Sequence, residues 1–195
     1  MADATHQSAE QYTIRRQVFR LFGAGFHIYD AQNNVVGFCE QKAFKLREDL
    51  RLYRSDAKTD LLMRIAARSI IDFSATYDVF DSQEQRVGSL RRRGGASLFR
   101  DSWLVFDAED QEVAQLKEDS GMLGALRRFT DLGVLIPQKF EMHANDGAPL
   151  ASLRTHFNPF IYRLGIAIHP AASTFDPNLL LATGVLIAAI EGRQE

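Results

Sequence analysis

The sequence predicts a mainly β domain: about a dozen antiparallel strands, folded as a barrel or sandwich and completed by an apolar C-terminal helix. Three observations lead there. A hairpin pattern recurs four times, further alternating runs lie between the copies, and a 12-residue apolar stretch sits near the C-terminus.

The four copies are FHIYDAQNNVVGFC (Phe26–Cys39), YDVFDSQEQRVGSL (Tyr77–Leu90), WLVFDAEDQEVAQL (Trp103–Leu116) and FEMHANDGAPLASL (Phe140–Leu153). In each, an alternating run ends in a polar turn and a second run follows. Eight residues separate Tyr29 from Gly37, Phe80 from Gly88, Phe106 from Ala114 and His143 from Ala151. Alternation with period 2 places one face of each strand on a core. Asp30, Asp81 and Asp107 occupy one turn position, and Asn145, Asp146 and Gly147 serve the fourth copy. Such residues tolerate the backbone angles of tight turns. The small residue at the eighth position leaves room for a close approach to the strand. Two residues later Cys39, Leu90, Leu116 and Leu153 share one face, the predicted core face.

Further strands fit Tyr12–Arg20, Lys42–Leu46, Asp49–Arg54, Leu61–Ala67 and Phe157–Ile168. Two helices are expected. Ser120 can cap Gly121–Asp131, whose Met122, Leu123, Leu126 and Phe129 have helical spacing. Asp176 and Pro177 form an N-terminal signal for Asp176–Glu191. The segment Leu179–Ile190 is far shorter than the roughly 20 residues that span a bilayer, so a buried helix is expected and no transmembrane span. A helix apolar all round needs protein or lipid on every side.

With 195 residues the chain suits one domain, placed at 12–195 behind a disordered polar tail at 1–11. Formal net charge is −2, which gives no basis for wholesale nucleic-acid binding. The single cysteine, Cys39, excludes an internal disulfide and reads as a buried small hydrophobe. The tail has no apolar run of a secretory signal. A cytoplasmic protein, peripheral at the membrane when bound there, is expected.

The ordered set FHIYDAQNNVVGF, QKAFKLREDLRLY, DFSATYDVFDSQEQRVGSLRRRG, SLFRDSWLVFD and LLLATGVLIAAIEGRQ resembles the LURP-one-related family, grouped with phospholipid scramblases and the tubby C-terminal domain. The resemblance implies a closed twelve-stranded barrel wrapped around a central C-terminal helix. Family members include membrane-lipid binders and proposed scramblases. The acidic calcium-binding segment associated with scramblases has no counterpart in this chain.

No nucleotide-binding loop or nucleophile elbow is present. His6, His27, His143, His156 and His169 lack zinc-site spacing, so no metal, cofactor or catalytic set is expected. Arginines carry the usable signal. Arg91, Arg92 and Arg93 follow a strand, and Arg127 and Arg128 lie on the first predicted helix. Alternation sends Arg91 and Arg93 to one face and Arg92 to the face of Leu90. Guanidinium forks suit phosphate, which makes these five residues candidates for anionic phospholipid headgroups. Arg100 and Asp101 could pair beside Trp103, which is expected to fill the core. The expected function is a non-enzymatic binding module whose partner is an anionic membrane lipid or a protein. The alternatives are scramblase-like translocation, a protein-interaction scaffold without lipid, and an enzyme at a barrel mouth.

Overall fold

A computed structural model describes residues 9–17, 24–41, 49–71, 74–93, 102–118, 137–156, 158 and 161–191. The strands are β1 (Tyr12–Gln17), β2 (Ala24–Asp30), β3 (Val35–Gln41), β4 (Leu50–Tyr53), β5 (Leu61–Ile71) and β6 (Ser74–Phe80). They continue as β7 (Arg86–Arg93), β8 (Ser102–Phe106), β9 (Glu112–Glu118), β10 (Lys139–Ala144), β11 (Pro149–His156) and β12 (Ile161–Ile168). A 3-10 turn, Pro170–Thr174, leads into helix α1 (Pro177–Glu191). The predicted strand Lys42–Leu46, the predicted helix Gly121–Asp131 and the Arg100–Asp101 pair lie outside the described residues.

The strands close into one antiparallel barrel, each paired with its neighbours in sequence and β1 paired with β12. Closure leaves no free sheet edge. The helix fills the interior: Leu179, Leu180, Ala182 and Val185 through Ile190 are all buried. This explains why its sequence is apolar all round. Asp176 caps it, its carboxylate accepting the Asn178 N–H at 2.7 Å. Inside the helix, Thr183 donates its hydroxyl to the Leu179 carbonyl at 2.7 Å, which satisfies a polar group in the core. Cys39 and Trp103 are buried, as expected, and Trp103 packs against Tyr77 at 6.2 Å between ring centroids.

The repeat has a physical explanation. In all four hairpins the pairing shifts by one residue at the same place, after Ile28, Val79, Val105 and Met142. Asp30, Asp81 and Asp107 each accept two backbone N–H groups, two and four residues ahead, at 2.8–3.0 Å. The residue three positions after each Asp is left-handed: Asn33 (φ 65), Glu84 (φ 59) and Asp110 (φ 59). The fourth hairpin uses Gly147 (φ 88) there. This is a turn closed by a left-handed residue, the usual three-residue hairpin connection. The β4–β5 hairpin has the same shift, after Leu52, and a left-handed Lys58 (φ 57). Its longer loop is closed by the Arg54–Asp60 ion pair at 2.8 Å.

Glu10 and Gln11, expected in the polar tail, are bonded to the barrel. Gln11 donates its N–H to the Ile166 carbonyl at 2.9 Å, and its side-chain oxygen accepts the Ile168 N–H at 2.6 Å. Glu10 bonds His156. Both residues thus belong to the barrel, because β12 offers backbone partners beyond the start of β1.

Candidate functional site

Strand β7 places the predicted arginines. Leu90 is buried, Arg91 and Arg93 are exposed, and Arg92, on the Leu90 side of the alternation, is half-buried. They pair in register with Leu104, Trp103 and Ser102 of β8. The Arg91 guanidinium lies 4.7 Å from the centre of the Phe106 ring, which holds the charge over an aromatic face. Arg127 and Arg128 lie outside the described residues.

Most arginines nearby are already engaged. Asp78 of β6 bonds Arg68 at 2.9 Å and Arg86 at 2.9 Å, and both arginines also reach Asp110. Arg86 further donates to the Ala108 carbonyl at 2.8 Å. Burial pushes the Asp78 carboxyl up, but the two guanidiniums outweigh it and hold it below the usual range. Arg64 donates to Glu84 at 2.8 Å and lies 4.0 Å from the Phe80 ring centre. The bond from Arg64 lowers the Glu84 carboxyl. Arg91 and Arg93 differ: among the described residues neither pairs with a carboxylate.

The histidines are held separately. His27 bonds Asp56 at 2.9 Å, His143 is exposed on β10, and His156 bonds Glu10 at 2.5 Å. His169 Nε2 lies 2.9 Å from Ser152 Oγ. Ser152 also donates to Glu141 Oε2 at 2.6 Å, while Glu141 Oε1 accepts from Lys139 at 2.7 Å. A serine nucleophile needs its proton taken by an imidazole that a carboxylate orients. Here the Ser152 hydroxyl donates its hydrogen bond to the carboxylate, so the cluster ties β10, β11 and the segment before the 3-10 turn together. Among the described residues no group of three or more metal-binding side chains converges.

A second cationic region was missed by the sequence reading. The register sets Arg15 opposite both Arg163 and His27, and sets Arg163 opposite His156. One row on the outer face thus crosses β2, β1, β12 and β11. Arg154 lies on the same face of β11, next to the buried Leu153. Arg15 and His27 are distant in sequence from Arg154, His156 and Arg163, and only closure between β1 and β12 unites the two groups.

Together, fold and surface define a closed β-barrel with a helix-filled interior and two cationic regions on its exterior. Comparison with family models, curated proteins and solved structures finds no match.

Proposed function

We propose that this barrel is a non-enzymatic binding module that docks on anionic phospholipid headgroups through β7. The observation that carries the reading is the contrast among surface arginines. Arg54, Arg64, Arg68 and Arg86 are neutralised by carboxylates, whereas Arg91 and Arg93 share one exposed face of one strand without such partners among the described residues. Guanidiniums so presented suit phosphate oxygens, and a basic cluster gains about 1 kcal/mol per charge near an anionic leaflet. The placement of α1 favours docking over translocation, since its apolar side chains are already covered by strands. Among the described residues no helix is long and apolar enough to cross a membrane.

Flotation of the purified protein with phosphatidylcholine vesicles, with and without phosphatidylserine, tests this. Flotation should require phosphatidylserine and weaken as salt rises, because exposed charges are screened. The Arg91→Glu/Arg93→Glu variant should remain in the pellet fraction. Equal flotation of that variant, or no flotation of the parent protein at low salt, rejects the proposal.

A further inference from the structure

The outer face of β1, β12 and β11 concentrates positive charge around a gap in the sheet surface. Arg15 and Arg163 stand directly opposite each other on neighbouring strands, a like-charge placement that costs stability unless an anion lies between them. Among the described residues neither of them, nor Arg154, pairs with a carboxylate. Arg15 is engaged on its other side, its Nη2 donating to Asn33 Oδ1 at 2.6 Å and its guanidinium lying 4.2 Å from the Tyr29 ring centre, while its Nε is buried without a hydrogen-bond acceptor.

Gly165 provides the gap. It lies opposite Arg154 on one side and Thr13 on the other. A Cβ built on it would overlap the carboxylate of Glu10, so the missing side chain is what admits that group. Glu10 then bonds His156 at 2.5 Å, while Gln11 bonds the backbone of Ile166 and Ile168. The Glu10–Gln11 dipeptide therefore shows how this face holds an acidic extended chain. The carboxylate rests in the gap and the adjacent residue is fixed by polar bonds.

We propose that this face is a docking site for an acidic extended peptide, with a carboxylate over Gly165 among Arg154, His156 and Arg163, and that Glu10 is its built-in competitor. The chemistry is that of acidic-motif recognition by arginine clusters. The occupant already in place is a glutamate, which favours a peptide carboxylate over other anions. A tethered competitor acts at an effective concentration of roughly millimolar, so an outside peptide must displace it. This site is separate from the lipid surface proposed for β7. In the ring of strands β1 and β7 are six positions apart in either direction.

Fluorescence anisotropy of a labelled hexaglutamate peptide at fixed ionic strength tests the inference on the full chain. Glu10→Ala should bind the peptide about tenfold more tightly than the parent, by removal of the tethered competitor. Adding Arg154→Ala and Arg163→Ala to that variant should lose at least about tenfold. Adding Arg91→Glu and Arg93→Glu instead should change nothing, which separates this site from the lipid proposal and from general charge attraction. Gly165→Ala in the Glu10→Ala background should also abolish binding by filling the gap, with folding verified by circular dichroism. Equal binding by the parent and Glu10→Ala overturns the proposal, as does indifference to loss of Arg154 and Arg163. Binding of inorganic phosphate without binding of hexaglutamate overturns the peptide assignment.

Discussion

Gly88 of β7 and Leu179 of α1 touch at a point where a further carbon has no room. A Cβ on Gly88 would stand 3.0 Å from the Leu179 Cδ2 and would overlap the Phe106 carbonyl oxygen. Across the barrel the relationship is inverted, since Gly184 of the helix makes space for Ile166 of β12. The helix is thus seated by one glycine on the wall and one of its own.

Substitution of Gly88 by Ala should cost at least about 2 kcal/mol, because backbone and helix must both yield. Urea unfolding would record it as a lower midpoint. Gly37→Ala should cost less, since its Cβ would come no closer than 3.3 Å to the side chains of Ile28 and Leu52 and would meet no backbone atom among its three nearest neighbours. Equal losses at the two positions would mean that the seating of α1 is not what Gly88 provides.

Asp78 should make stability depend on acid. Its carboxyl is depressed below the ordinary 3.8 by Arg68 and Arg86, against the opposing effect of burial. A carboxyl depressed in the folded state stabilises fully above its unfolded value and loses that contribution as pH falls through the folded one. At pH 7, Asp78→Asn should therefore destabilise by about 2 kcal/mol, leaving two guanidiniums poorly matched. Below about pH 4 the gap between variant and parent should shrink, measured as melting temperature against pH. A gap that is constant down to pH 2 would contradict the ion-pair account.

The turn aspartates should behave as backbone acceptors, not as charges. Asp107 receives the N–H groups of Glu109 and Gln111 at 3.0 and 2.8 Å. Asp107→Ala should cost about 1 kcal/mol, comparable to loss of a helix cap, whereas Asp107→Asn, which keeps an acceptor oxygen, should cost less than half of that. Chemical denaturation of the two variants decides it, and equal destabilisation would point to charge instead.

Much of this fold was legible because turn chemistry is local. An Asp that accepts two N–H groups, a left-handed residue three positions on and a small inward residue at the eighth position all fall within one window, so four hairpins could be read from Asp30, Asp81, Asp107 and Gly147. The β4–β5 hairpin was read as two strands, Asp49–Arg54 and Leu61–Ala67, but not as a further copy, because Arg54 and Asp60 close a longer loop that breaks the spacing. The β7 arginines were visible as a run, and strand alternation correctly divided exposed Arg91 and Arg93 from half-buried Arg92. The row of Arg15, Arg163 and His156 was not legible, since Arg15 joins the Arg163–His156 pair of β12 and β11 only through the β1–β12 register. Glu10 was assigned to the tail for the same reason: its partner, His156, comes from the other end of the chain.

The pairing of β1 with β12 also governs the order of events in biosynthesis. Hairpins such as β6–β7 can form as soon as their residues emerge, since their contacts are local. The ring cannot shut until Ile161–Ile166 are available to the N-terminal strand, and its interior stays unfilled until Leu179 through Ile190 follow. On the ribosome the nascent wall therefore exposes its apolar lining until the helix has emerged. A chain of this topology is expected to depend on holding chaperones more than one whose core is completed early.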